Sequence, residues 1–213
     1  MTAWSTSNPA GAACVYASDD HGSSWKTKAY FGCPPPPHFC NHWIFETSLA
    51  AVGPETLYLN GRNHHMAGTP VNAPHPRITA WSTDSGDSFH GMANSTVPSV
   101  DPDENGVQQG LVALPNTGQV ALLAPTGPAP HEDKAWNPVN NTGRRHLVLH
   151  RSHDRAKTWP TELQETITSS YGGYSSLAVV TRPGKASVLG LLYETGWPGC
   201  GGSCSIAYTE RPF

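Results

Sequence analysis

Apolar residues in this chain gather in short runs, not long stripes. Runs fall at residues 14–17, 44–52, 56–60, 77–81, 110–114, 119–124, 146–150, 175–180, 187–193 and 205–208. Each is only a few residues long, and Pro, Gly, Asn and Ser cluster between them. Runs of that length, rich in β-branched and aromatic side chains and bounded by turn formers, predict strands. The 21 glycines and 20 prolines among 213 residues interrupt nearly every window in which a long helix would have to run. The pattern predicts an all-β chain and argues against a helical bundle or coiled coil.

An octamer recurs three times, each copy directly after one of these strands. Residues 18–25 read SDDHGSSW, residues 82–89 STDSGDSF and residues 152–159 SHDRAKTW. The common form is S-x-D-x-G-x-S/T-aromatic, with starts 64 and 70 residues apart. Its chemistry is that of a hairpin turn. The Asp side chain accepts backbone N–H groups across the turn, and Gly supplies a positive φ. The hydroxyl bonds back, and the aromatic fills the space between neighbouring sheets. Ala156 stands where the other copies have Gly22 and Gly86, which predicts strain or reshaping in the third turn. About four strands per repeat is the pattern of a β-propeller blade. An unrelated β-sandwich would need three such turns to coincide by chance.

Charge and cysteine content narrow the setting. With 13 Lys+Arg and a net charge of −3, the chain lacks the basic face that nucleic acid requires. No apolar run reaches the length of a membrane span, and residues 1–5 carry no signal-peptide pattern. The five cysteines are Cys14, Cys33, Cys40, Cys200 and Cys204. Cys33 and Cys40 flank four prolines, and Cys200 and Cys204 flank Gly201-Gly202-Ser203, so either pair has the spacing of a small disulfide loop. An odd count leaves one over. Cys33, His38, Cys40 and His42 lie within ten residues but match no standard zinc spacing, so no metal is expected. Two sequons, at Asn94 and Asn140, favour an endomembrane (lysosomal) or extracellular location.

The octamers resemble the Asp-box repeats of sialidases and other propellers. Three further segments carry the resemblance towards the exo-α-sialidases. Residues 45–49 (FETSL) through 57–63 (LYLNGRN) resemble a Glu opening one strand and an N-x-R-N closing the next. Residues 143–149 (GRRHLVL) resemble the segment with a further substrate arginine. Residues 173–177 (GYSSL) with 190–194 (GLLYE) resemble the family's Y-S-x-L and L-L-Y-E close. The segments occur in the family's order. The resemblance implies a six-bladed propeller, of which residues 1–213 would be about three blades, the C-terminal half truncated at its N-terminus. The family's first-blade arginine, in an F-R-I-P type motif, and its acid/base aspartate have no counterpart here.

The resemblance also implies roles. Tyr174 would be the nucleophile and Glu46 its base, Arg62 and Arg144 would bind the sialic acid carboxylate, and Glu194 would be a supporting residue. Arg144 is preferred to the adjacent Arg145 because it precedes Ser152 by the spacing seen in the family. The implied partner is a sialylated glycan on glycoprotein, ganglioside or oligosaccharide, and no cofactor is called for. Two other functions stay open: a non-catalytic Asp-box propeller that binds glycan or protein, and a fragment that cannot close its ring. A tyrosine with its base favours the hydrolase, since a binding module needs neither.

Overall fold

The computed structural model describes residues 2–4, 12–32, 43–64, 75–94, 100–101, 107–125, 145–196 and 205–213. These form antiparallel strands and one short 3-10 turn, Thr161–Leu163. The first sheet is β1 (Thr2–Trp4), β2 (Ala12–Ala17) and β3 (Lys26–Gly32), paired in that order. The second sheet begins with β4 (Trp43–Gly53) and β5 (Thr56–His64). β6 (His75–Pro76) leaves it, and β7 (Ile78–Ser82) and β8 (His90–Asn94) complete the order β4-β5-β7-β8. β6 pairs instead with β9 (Val100–Asp101).

The remaining strands run in one hydrogen-bonded series: β10 (Gly110–Ala113), β11 (Val120–Pro125), β12 (Arg145–Ser152), β13 (Glu165–Val180), β14 (Val188–Thr195) and β15 (Ser205–Arg211). β13 is long enough to serve two sheets. Its first half pairs with β12 and its second half, from Gly172, with β14. The series therefore divides into a third sheet, β10 to the start of β13, and a fourth, the end of β13 to β15. All ten apolar runs of the sequence lie on strands. Octamers occur in the first three sheets and not in the fourth.

The sheets stack face to face, and the core lies between them. Ala50, Val52 and Tyr58 of the second sheet meet Leu111, Val120, Leu122, Ala124, Ala156 and Trp159 of the third. Ala121, Leu123, Leu147 and Leu149 on the other face of the third sheet meet Leu177, Leu189 and Leu191 of the fourth. This explains why β11 is buried at every position. Its successive side chains point to opposite faces, and a sheet covers each. The stack is consistent with part of a propeller, and no closed six-bladed ring forms among the described residues. No helix among them is long and apolar enough to cross a membrane.

The three octamers fold into three turns with the same hydrogen bonds. The first serine hydroxyl bonds the aspartate in each, Ser18 to Asp20, Ser82 to Asp84 and Ser152 to Asp154, all at 2.8 Å. It also accepts the N–H of Gly22 (2.7 Å), Gly86 (2.8 Å) or Ala156 (3.0 Å). The aspartate accepts both the N–H and the hydroxyl of Ser24, Ser88 or Thr158. Hydrogen bonds to the charged form favour it. The Ser24 hydroxyl and amide pull Asp20 down to about 2, and those of Ser88 pull Asp84 still lower. Asp154 also falls to about 2, because the bonds from Thr158 and Ser152 outweigh burial. Gly22 and Gly86 have φ of 90°, and Ala156 has φ of 65°. The third turn thus keeps the shape of the others and places an alanine where glycine is favoured.

Candidate active site

Two β-bulges build the site. In the pairing of β4 with β5, Phe45 faces Arg62 and Ser48 faces Asn60, so Glu46 and Thr47 together oppose Gly61. Glu46 takes a φ of 40°, unusual for a residue with a side chain. Gly61 is required opposite it, since a Cβ there would lie 2.6 Å from Ile44 Cγ1 and 2.9 Å from Thr47 Cγ2. In the pairing of β13 with β14, Gly172 faces Thr195 and Ser175 faces Tyr193, so Gly173 and Tyr174 oppose Glu194. A Cβ on Gly173 would fall 2.4 Å from Glu194 Oε2. Bulges of this kind re-aim a side chain out of the alternating pattern.

The re-aimed side chains meet across the stack. Tyr174 Oη donates to Glu46 Oε1 at 2.7 Å, and Arg62 Nη1 donates to Glu46 Oε2 at 2.7 Å. Arg62 Nη1 also lies 3.4 Å from Tyr174 Oη. Arg62 is only 8% exposed, and its Nε has no hydrogen-bond partner among the described residues. Glu194 Oε2 accepts the backbone N–H of Tyr174 at 3.1 Å, which fixes the main chain beside the phenol. Of the five residues singled out from sequence, the structure brings four together: Tyr174, Glu46, Arg62 and Glu194. Arg144 lies outside the described residues. Its neighbour Arg145 starts β12 in register with Tyr171, at a third bulge where His146 has φ of 53°.

Behind these residues, polar side chains lace the inner strands β4, β10 and β13. Ser48 Oγ donates to Gln109 O (2.7 Å), and Ser175 Oγ accepts Gly110 N–H (2.8 Å) while donating to Leu123 O (3.0 Å). A cleft of about 240 Å³ opens there, lined by Thr47, Ser48, Gln108 and Ser176 among others. Sequence reasoning gave no role to Arg77, a fully buried cation whose Nε donates to Asn60 Oδ1 and whose Nη1 donates to Val107 O at 2.8 Å. It read only as the first residue of a strand. Asn60 belongs to the N-x-R-N segment, and this contact ties that segment to β7. Among the described residues, no three His, Cys, Asp or Glu side chains cluster as metal ligands. Four cysteines and the segment from Cys33 to His42 lie outside the described residues.

This architecture has known counterparts. The Hadza microbial sialidase Hz136 superposes with a TM-score of 0.60 at 20% identity, over 94% of this chain and 32% of that one. The NanB sialidase of Streptococcus pneumoniae gives 0.63 at 16%, over 95% and 28%. The Trypanosoma rangeli sialidase gives 0.61 at 17%, over 93% and 27%. The fold is related to that of the exo-sialidase propellers. At these identities the likeness concerns the fold alone, and the chain spans about a third or less of the structures it matches. No protein-family model and no curated protein matches the sequence.

Proposed function

We propose that residues 1–213 carry the nucleophile half of an exo-α-sialidase, a retaining glycoside hydrolase that removes terminal sialic acid. The observation that carries this reading is the Tyr174–Glu46 hydrogen bond of 2.7 Å, between residues 128 positions apart. A binding module has no need of a base held against a phenol. A phenol titrates near 10, so it becomes a nucleophile only with a base at hand. Sialic acid carries a carboxylate on the carbon under attack. A carboxylate nucleophile would meet repulsion there and a neutral phenol would not, and sialidases are known to use tyrosine in this role.

In the proposed step, Glu46 takes the Tyr174 proton. The phenolic oxygen forms a bond to the anomeric carbon as the glycosidic C–O bond breaks, and the leaving oxygen takes a proton from an acid. Water then displaces Tyr174: the departing phenolate takes back the proton held by Glu46, and the proton lost by the attacking water restores the acid. Arg62, together with Arg144, binds the substrate carboxylate, a task suited to the planar guanidinium fork. The three octamer turns are read as Asp boxes of a partial propeller. The two sequons support an endomembrane or extracellular setting.

The test is titration of the chain with N-acetylneuraminic acid, paired with turnover of an activated aryl sialoside. The proposal expects saturable binding that Arg62→Ala weakens. It also expects slow aryl sialoside turnover that Tyr174→Phe abolishes while binding persists. Binding with turnover indifferent to Tyr174 would favour the non-catalytic glycan-binding reading. No binding and no turnover would overturn both.

A further inference from the structure

Two separate packing needs meet at the dipeptide Asn60-Gly61. Position 61 takes glycine because Ile44 and Thr47 leave no room for a Cβ opposite the β4 bulge. Position 60 takes a short side chain that both accepts and donates. Asn60 is fully buried, its Oδ1 accepts from Arg77 Nε, and its Nδ2 donates to Tyr58 Oη at 3.1 Å. The resulting Asn-Gly pair is chemically labile, because a glycine nitrogen carries no neighbouring side chain to keep it from the asparagine Cγ. Solvent hydroxide removes the Gly61 N–H proton, the nitrogen bonds Cγ, and Nδ2 leaves as ammonia with a proton from water. Water then opens the succinimide at either carbonyl, which leaves aspartate or isoaspartate at position 60.

The folded strand blocks that attack. Asn60 sits on the second of four strands, facing Ser48 of β4 on one side and Thr79 of β7 on the other. An extended backbone carries the side chain out to one face of the sheet, away from the nitrogen that follows it. Tyr58 precedes Asn60 by two residues and shares its face. The bond to the Tyr58 hydroxyl therefore draws the amide back along the strand, away from Gly61. Arg77 fixes the carbonyl end and is itself anchored on Val107 O at 2.8 Å. Its donated bond withdraws electrons from Cγ, so geometry and not electronics holds the group inert.

We infer that Asn60 is a latent modification site, a succinimide former that Tyr58 and Arg77 hold shut, and that its conversion to isoaspartate dismantles the strand carrying Arg62. Isoaspartate adds one carbon to the main chain. Gly61 then no longer falls opposite Glu46 and Thr47, and Arg62 leaves its register with Phe45. The inference draws on strand register and amide chemistry alone and requires nothing of the enzymatic reading.

Peptide mapping by mass spectrometry tests it, with electron-transfer fragmentation to tell isoaspartate from aspartate. The full chain is held at mildly alkaline pH, native and in guanidinium chloride. In denaturant Asn60 should convert at a rate similar to Asn105, which precedes the other Asn-Gly glycine of the sequence. In the native chain Asn60 should convert about 100-fold more slowly or less, since the strand must first open. Tyr58→Phe keeps the ring and removes the hydroxyl, and Arg77→Lys keeps the charge and removes the fork. Each should speed native conversion by about 5- to 30-fold, the scale of one lost buried hydrogen bond. Circular dichroism checks that each variant starts folded. Mild proteolysis of the aged Tyr58→Phe chain then removes unfolded molecules, and the survivors should lack isoaspartate at position 60. Native wild-type conversion as fast as in denaturant, or folded variants that convert no faster than wild type, would overturn the hold on Asn60. Isoaspartate at position 60 among the protease-resistant survivors would overturn its consequence for the strand.

Discussion

Glu46→Gln separates the charge of this residue from its shape, and the structure sets the size of the effect. The Glu46 carboxylate holds a guanidinium at 2.7 Å, and the two side chains are only 15% and 10% exposed. Removing one partner of a buried pair leaves the other charge uncompensated, at about 3–5 kcal/mol. Glutamine keeps an amide oxygen that still accepts from Arg62, which recovers about 1–1.5 kcal/mol. The expected loss is therefore about 1.5–4 kcal/mol. For a domain of this size each kcal/mol shifts the melting temperature by about 2–4 °C, so the drop should be about 3–16 °C. Tyr174→Phe is the control. It removes one hydrogen bond to the same carboxylate at a half-exposed position and should cost only about 1 kcal/mol. Urea unfolding followed by tryptophan fluorescence measures both. Adding Arg62→Leu to Glu46→Gln should restore part of the stability, because the stranded charge is then gone. If Glu46→Gln cost no more than Tyr174→Phe, or if removing Arg62 deepened the loss, the guanidinium would not depend on this carboxylate and the account of the site would fail.

His150 gives a pH dependence with a defined sign. It is fully buried, neither ring nitrogen has a partner among the described residues, and burial lowers its pKa from 6.5 to about 4. The unfolded chain therefore takes up the proton first, and stability falls as pH drops from about 6.5 to about 4. The slope is about 1.4 kcal/mol per pH unit, towards a total of about 3 kcal/mol. Urea midpoints at pH 7 and 4.5 should show this, and His150→Leu should flatten it. The lowered carboxylates Asp20, Asp84 and Asp154 lose their contribution only at lower pH, as it falls from their ordinary range near 4. The octamer turns predict an asymmetry. Ala156→Gly relieves a φ of 65° but loses a buried methyl and adds unfolded-state freedom, so stability should change by less than about 1 kcal/mol. Gly86→Ala meets a φ of 90° and Leu57 Cδ1 at 3.1 Å, and should cost about 1–3 kcal/mol. Equal effects of the two in chemical unfolding would show that the turns are not equivalent.

The strands were legible where one face or both are apolar. Residues 119–124 announce β11 because sheets cover both its sides, and the octamers announce their turns because Asp and a hydroxyl recur at fixed spacing. Strands without an alternating apolar face were not legible. β3 reads KTKAYFG and β8 HGMAN, and no period-2 apolar face marks either one. The middle of β13 was hidden for another reason. Gly172-Gly173 reads locally as a loop, yet these residues sit within a 16-residue strand. There the absence of Cβ atoms lets Leu147 and the Glu194 carboxylate approach the backbone.

The site itself lies where local rules give way. Nothing in residues 43–48 asks for a left-handed residue at Glu46, and intrinsic preference would place glycine there. The conformation costs on the order of 1 kcal/mol or more, and it persists because its side chain is held at both oxygens, by Tyr174 and Arg62. Those partners are 128 and 16 positions away, so no window of sequence contains the reason. The resemblance could name the residues, but it could not say that the glutamate and the tyrosine each stand in a bulge opposite a strand edge that must yield. Gly61 yields on one side by lacking a side chain. On the other, Gly173 yields so that Glu194 can reach the Tyr174 amide. A chain that kept only a sheet-forming pattern would have no use for either glycine. Their placement opposite a strained glutamate and beside a tyrosine is what turns two stacked strands into a surface on which a phenol, a carboxylate and a cation converge.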